Sequence, residues 1–554
     1  MKQRIFVGVA WPYANSSLHL GHVAGAYLPA DIFARFNRMV GHDVLMVSGS
    51  DMHGTPITLR ADKEGVDPSV IAERYHQSFT ESFDGLGISF DIFTKTTTEN
   101  HTKTVQDIFL DLLNKNLIYK DKTLQPYCHS CARFLPDRYV EGVCPNCGDN
   151  GARGDQCDAC GKPLNTHELL ESKCAICNSA PEFMESEHFF LKLSEMNESL
   201  ARWISEKMYF RPNVYAFTKK YLGMGLKDRA ITRDISWGVP LPLGEYHDKR
   251  LYVWFEAVIG YISASKEWAI KRGNPEAWKP FWEDKETKCY YFIGKDNIPF
   301  HTIVWPAMLM GLDNVNLPYD VPANEFLTIE GRKLSSSRNW AVWVPDYLSR
   351  HKPDPVRYML SINMPENSDT DFSWREFVRR NNDELVATYG NLAQRTLTFT
   401  YKKYNGQVPP KGELDLESHR LLDEAQNTLN KVAHAITLCN FREAIREAMS
   451  LASKANKYLE LTSPWKLVKE DESAAASALY TVLAVLNVLK IVFYPFLPHS
   501  SQKLHEYLGG KGDISEQKWQ MEMPASGAHL REPQVLFTKL DESVVEEEIN
   551  RMGK

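Results

Sequence analysis

Two short stretches hold the residue types that phosphate chemistry needs. His19-Leu20-Gly21-His22 places two imidazoles one helical turn apart, where ring N–H groups can meet phosphate oxygens gaining charge. Backbone amides at a helix start favour phosphate, and Gly21 lets a nucleotide approach the chain closely. Gly331-Arg332-Lys333-Leu334-Ser335-Ser336-Ser337-Arg338 is a basic, hydroxyl-rich loop. Each alone is more often a chance pair at a helix start or a solvated loop than a site. A third pattern is metal chemistry. Cys128/Cys131, Cys144/Cys147, Cys157/Cys160 and Cys174/Cys177 are four C-x-x-C pairs, enough for two tetrahedral four-thiolate zinc sites. The spacing allows a sequential pairing of neighbours or a nested one. Four thiolates leave no open coordination position, so these sites fold the chain rather than catalyse. Cys289 and Cys439 stand apart and read as buried core residues.

Several elements must position these residues. Ile5–Ala10 reads as a buried strand, followed by the loop Trp11–Asn15, apolar helical spacing from Val23 to Met39, and a second strand at Val44–Val47. That is a βαβ unit, the start of a parallel sheet with a nucleotide-type site at its strand ends. It has no G-x-G-x-x-G run, which argues against an ordinary NAD or FAD domain. Between residues 116 and 235 the texture turns to Cys, Gly, Pro and Asn with short strands, an insertion into the sheet domain. Strand-like runs resume at Leu251–Ile262 and Cys289–Gly294. From about residue 376 the chain is helical, with periodic segments at 376–404, 417–438, 440–461 and 472–494.

The 554 residues exceed one hydrophobic core, and a net charge of −7 does not announce a nucleic-acid binder, so RNA contacts must come from local basic patches. No signal peptide is expected. Asn487, Lys490 and Pro495 interrupt the apolar run 474–497, which reads as a buried helix.

In order and separation, the first two stretches resemble the HIGH and KMSKS motifs of class I aminoacyl-tRNA synthetases. Further segments are similar to the methionyl-tRNA synthetases: Trp11–Asn15, Ser50-Asp51-Met52-His53-Gly54, Trp254–Tyr261, Phe292–Asp296 and Phe300–Trp305. The resemblance implies an α/β, Rossmann-like parallel-sheet catalytic domain with an inserted zinc-knuckle connective domain, followed by an all-α anticodon-binding bundle. It divides the chain at 1–115, 116–235, 236–325, 326–375 and 376–554. By resemblance, His19, His22, Lys333 and Arg233 are catalytic. His19, Gly21, His22, Gly294, Asp296, Lys333, Ser335 and Ser336 would hold ATP. Methionine would meet Ala10, Trp11, Tyr13, Asp51, Trp254, Ala257, Val258, Tyr261, His301 and Trp305, with Asp51 receiving the ammonium and Trp254–Tyr261 forming a pocket strand. An unbranched thioether suits such an aromatic slot.

Asn391 and Arg395 match an Asn-Leu-x-x-Arg anticodon motif and Trp465 a stacking tryptophan, the means by which single-stranded loops are read. Single-zinc relatives keep a quartet like Cys144, Cys147, Cys157 and Cys160, which implies the nested pairing. Two residues depart from the pattern: Val258 stands where proline is common, and Ser336 where a second lysine is usual, with Arg338 able to supply that charge. The expected reaction joins methionine to initiator and elongator tRNA through methionyl-adenylate, using ATP with Mg2+ and structural Zn2+. The expected protein is a cytoplasmic monomer with no membrane association. A cysteine or branched-chain synthetase is the nearest rival, though the insertion is too short for the large editing domain of the branched-chain enzymes. A non-catalytic, zinc-dependent RNA-binding module is the rival from another class.

Overall fold

A computed structural model describes residues 2–154, 157, 159–160, 164, 166–335 and 338–553. The strands used below are β1 (Arg4–Val9), β2 (Asp43–Ser50), β3 (Ile92–Lys95), β4 (Ile118–Cys128), β5 (Glu182–Leu191), β6 (Lys288–Gly294), β7 (Ala323–Asn324), β8 (Leu327–Ile329), β9 (Arg332–Lys333) and β10 (Thr370–Phe372). Five of them form one parallel sheet in the order β7-β6-β1-β2-β3. Alternate side chains of β1 serve two cores. Ile5, Val7 and Val9 join one that runs into the C-terminal helices, and Phe6 joins another with Leu45 and Val47. A parallel sheet buried on both faces is the outcome that the continuous apolar runs predict. β1 lies between β2 and β6, so the chain leaves it at the point where the winding order reverses, the usual place for a ligand crevice.

The helices used below are α1 (residues 20–40), α2 (Glu99–Asn114), α3 (Val253–Lys271), α4 (residues 300–311), α5 (Pro353–Ile362), α6 (residues 374–403), α7 (Leu416–Thr437), α8 (Phe441–Thr462) and α9 (Glu472–Phe493). The expectation of a strand at Leu251–Ile262 is wrong: beyond Leu251 the segment is the start of the 19-residue helix α3. Its near-continuous apolar run has no clean period, because α3 is buried on most sides, and such runs do not separate strand from helix. The four C-terminal helical segments fall where periodicity places them, as α6 to α9. α9 is long and apolar enough to cross a membrane, but 94% of its most apolar window is buried inside the protein.

The insertion is built on β4 and β5, 11 and 10 residues long and paired antiparallel from Ile118–Leu191 to Tyr127–Glu182. These strands are longer than the texture of the sequence suggests. From the end of β4 to the start of β5, the described residues bury a small cluster that includes Leu135, Tyr139, Val140 and four of the cysteines. That is too little apolar surface to hold a lobe alone.

One buried knot ties the sheet to the helices. Asp31 on α1 and Arg357 on α5 are both fully buried and 2.7 Å apart. Arg357 also donates to the carbonyls of Leu86, Pro495 and Phe496, at 3.2, 2.9 and 2.8 Å. Arg35 donates to Asp31 at 3.0 Å, to the Tyr494 hydroxyl at 2.6 Å and to Gly87 O at 2.6 Å. Burial pushes the Asp31 carboxyl up, but the charges of Arg35 and Arg357 and the hydrogen bonds from Ser89 outweigh it and hold it at about 2. Its unfolded value is about 3.9, so its contribution is complete above about pH 4 and is lost as pH falls toward 2. Asp31→Asn, which strands two buried guanidinium groups, should cost about 3–5 kcal/mol. Urea denaturation checks this, and an unchanged midpoint would show that the knot does not hold the domains.

Candidate active site

The site begins where β1 ends. Ala10 N donates to Phe292 O (3.1 Å), Asp51 N to Pro12 O (2.8 Å) and Ala14 N to Asp51 O (2.9 Å), so the loop after β1 is laced to β6 and to the end of β2. At the start of α1 the two imidazoles cap one another. His19 N donates to His22 Nδ1 at 3.2 Å, His22 N to His19 Nδ1 at 3.4 Å, and the rings stack with centroids 3.7 Å apart. Because both Nδ1 atoms accept, each neutral ring carries its proton on Nε2, leaving that N–H free to donate. Burial lowers the pKa of His22 to about 4; burial and then the charge of His22 lower that of His19.

The second motif packs directly on the first. β9 pairs with β8, and Ser335 and Trp340 exchange backbone hydrogen bonds at 3.0 and 2.9 Å. Beyond the loop, Leu20 N donates to Val342 O (3.1 Å) and Val344 N to Leu18 O (2.8 Å). A Cβ at Gly21 would lie 2.5 Å from Leu334 Cδ1. Glycine here makes room for the basic loop to approach. Lys333 is exposed at the cavity mouth. Ser336 and Ser337 lie outside the described residues.

A cavity of about 450 Å³ joins these parts. His19, Gly21, His22, Gly294, Asp296 and Lys333 line one region; Ala10, Trp11, Tyr13, Asp51, Trp254, Ala257, Val258, Tyr261 and His301 line the other. Trp11 is wedged between backbones: a Cβ at Gly49 or Gly260 would come within 2.4 or 2.7 Å of its indole. Trp254 stacks on Phe300, with centroids 3.9 Å apart, and meets Tyr13 edge-on at 5.9 Å. His301 Nδ1 lies 3.0 Å from Asn297 O, a partner that only accepts, so Nδ1 carries the proton and Nε2 accepts from the Tyr261 hydroxyl at 2.7 Å. Burial draws the His301 pKa down to about 4.

Three expected residues sit elsewhere. Trp305 is fully buried behind Tyr261, with centroids 6.3 Å apart, and does not line the cavity. Ser335 does not line it either. The guanidinium of Arg233 lies 3.7 Å above the Tyr252 ring, in the clefts next to the cavity. The pocket segment Trp254–Tyr261 is the first turns of α3, not a strand, so Trp254, Ala257, Val258 and Tyr261 face the cavity at helical spacing. Sequence reading missed Tyr27, Asn297, Phe326 and Thr328, which also line it. It also missed two π-helical segments in the walls, Val23–Tyr27 in α1 and Phe300–Val304 in α4. Such segments recur at functional sites. Here Asn324 Nδ2 donates to Ala24 O at 2.7 Å, tying the α1 segment to the end of β7.

The cysteines group as the nested pairing requires. Cys128, Cys131, Cys174 and Cys177 form one cluster and Cys144, Cys147, Cys157 and Cys160 another, with all four sulfurs of each within 4.8 Å of one another. Both suit a tetrahedral ion, whose four positions the four thiolates would fill. Cys289 and Cys439 are buried apart from them. In the bundle, Asn391 and Arg395 lie one turn apart on α6, and the Arg395 guanidinium sits 4.6 Å above the Trp465 ring. Ser463 turns the chain in the left-handed region (φ 39°) just before Trp465.

The chain is also similar to known proteins. Residues 5–397 match the family described as tRNA synthetases class I (M), and residues 408–553 the anticodon binding domain of methionyl tRNA ligase. The chain belongs to the methionyl-tRNA synthetase family. A methionine–tRNA ligase of Dehalococcoides mccartyi (strain CBDB1) is 61% identical over 553 residues, spanning both chains completely. One from Thermomicrobium roseum is 48% identical, over 100% of this chain and 99% of the relative. Mycobacterium tuberculosis methionyl-tRNA synthetase bound by methionyl-adenylate superposes with TM-score 0.80 at 25% identity, over 97% of this chain and 100% of that one.

The capping pair makes a direct prediction. In NMR of histidine-labelled protein, His22 should be the Nε2–H tautomer at pH 7 and titrate at about 4. Titration above about 6, close to the ordinary imidazole value, would contradict the stacked, buried pair.

Proposed function

We propose that this chain attaches L-methionine to methionine-accepting tRNA in two steps, through methionyl-adenylate, with release of pyrophosphate and then AMP. The observation that carries the reading is one continuous cavity with an aromatic slot and Asp51 in one region and His19, His22 and Lys333 in the other. The thioether lies in the slot made by Trp11, Tyr13, Trp254 and Tyr261, and Asp51 receives the ammonium. This directs the carboxylate toward the phosphate region, where it attacks the α-phosphate of ATP. Mg2+ enters with ATP as part of the substrate. The Nε2–H groups of His19 and His22 meet the phosphate oxygens that gain charge, Lys333 grips the triphosphate and Asp296 meets the ribose. Positioning and charge stabilisation account for the acceleration. The terminal ribose hydroxyl of tRNA then attacks the activated carbonyl.

Arg338, exposed on the same loop, supplies the second cation that Ser336 lacks, and Arg233 guards the adjoining cleft as a further anion partner. Zn2+ in each cysteine cluster cross-links a lobe whose own core is too small to fold it. The stacked Arg395 and Trp465, with Asn391, read the anticodon. The protein acts as a cytoplasmic monomer on initiator and elongator tRNA alike.

ATP–pyrophosphate exchange tests the first step with methionine, cysteine, leucine, isoleucine and valine. Exchange should occur with methionine alone. Lys333→Ala should lower it by about 10²–10³-fold, and Arg338→Ala should lower its rate far more than it weakens methionine binding. Arg395→Ala should leave exchange intact while reducing tRNA charging. Metal analysis should find two zinc ions per chain, one for each cysteine cluster. Exchange with another amino acid would discard the methionine assignment, and no exchange in folded, zinc-loaded protein would favour the RNA-binding alternative.

A further inference from the structure

Behind the amino-acid region of the cavity lies a second carboxylate that the reaction above does not use. Glu256, on the first turn of α3, is fully buried. Its two oxygens are held separately: Oε1 is 2.7 Å from His53 Nδ1, and Oε2 is 2.8 Å from His101 Nε2 on α2. His101 Nδ1 is 2.8 Å from the Ser263 hydroxyl, which also belongs to α3. His53 follows Asp51 by two residues, and its backbone N–H donates to Asp51 Oδ1 at 3.3 Å. Thus one carboxylate fastens the end of β2, α2 and α3 together behind the residue that faces the substrate ammonium.

Burial pushes the Glu256 carboxyl up, but the contacts with His53 and His101 outweigh it, and the net direction is downward. A neutral imidazole can donate either of the two hydrogen bonds, so the clamp leaves the carboxylate its negative charge. The Asp51 carboxyl is pushed up, first by burial and next by the Glu256 charge. Among the described residues, Lys333 is the only lysine or arginine lining the cavity, and it stands in the phosphate region. The amino-acid region therefore holds two neighbouring acids and no lining lysine or arginine.

We infer that Glu256 is a positioning residue for amino-acid selection: held by His53 and His101, it adds a second negative charge behind Asp51, so that the pocket takes a ligand only when it brings an ammonium group. This rests on the reading of the cavity as a methionine site. Glu256 touches no substrate. It acts by orienting the Asp51 segment and through its field, which is felt across several ångströms in a buried, weakly screened region.

The test compares equilibrium binding of methionine with binding of 4-(methylthio)butanoate, the same molecule without its ammonium, to the full-length, zinc-loaded protein. Wild type should prefer methionine strongly; if it binds neither, the methionine reading itself fails. Glu256→Gln can keep both hydrogen bonds, its amide oxygen accepting from His53 and its NH2 donating to His101, while losing the charge. It should reduce the preference by about tenfold and raise the KM for methionine, leaving the KM for ATP unchanged and kcat within about twofold. Glu256→Asp, which keeps the charge, should recover part of the preference. Asp51→Asn checks the same claim while leaving the Glu256 carboxylate in place, the new amide oxygen able to accept from His53 N: a residual preference of about tenfold should remain, supplied by Glu256. An unchanged preference in folded Glu256→Gln would overturn the proposal. So would complete loss of preference in Asp51→Asn.

Discussion

The buried contact between Asp31 and Arg357 is the constraint on which the arrangement depends. α1 carries the histidine motif at its start and Asp31 in its middle, so the position of His19 and His22 is fixed by what Asp31 grips. Arg357 grips it from α5 and at the same time holds carbonyls that follow α9. A pair of charges removed from water is stabilising only when its hydrogen bonds are well satisfied. Here Arg357 uses four of its five N–H groups, while Asp31 accepts from Arg35, Arg357 and Ser89. The helical domain is thereby fixed to the helix that starts the phosphate site, which places Arg395 and Trp465 at a set distance from the cavity.

Main-chain geometry governs the cavity in the same way. Residues 18–20 and 342–344 exchange backbone hydrogen bonds although they are distant in the chain. Side chains of the two signature segments are therefore brought together by the main chain rather than by their own attraction. The aromatic slot follows a similar logic, since Trp11 fits only because Gly49 and Gly260 present no side chain to it. α3 then places its cavity residues on one face and Glu256 on the opposite, buried side.

Much of this is legible in the sequence. The parallel sheet and the four helical segments follow from the pattern of apolar residues, the insertion follows from its change in composition, and the four C-x-x-C pairs state their own chemistry. The nested cysteine pairing needs more than spacing, because both pairings satisfy a tetrahedral ion; the β4–β5 ladder is what brings Cys128 beside Cys177. α3 reads as a strand because its apolar run is buried all round and carries no period. Trp305 falls into the pocket by its sequence neighbours, whereas its indole packs into the core behind Tyr261. The π-helical segments and the Glu256 clamp have no sequence signal at all, since each depends on partners distant in the chain, such as Asn324 for Ala24 and His101 for Glu256.

The central claim is that a single cavity brings the carboxylate of methionine to the α-phosphate of ATP before any RNA is present. Rapid quenching of the protein mixed with ATP and labelled methionine, without tRNA, measures this directly. The account predicts bound methionyl-adenylate approaching one equivalent per chain, formed with methionine and not with leucine or valine. Absence of the adenylate in folded, zinc-loaded protein, or its formation only when tRNA is added, would contradict it.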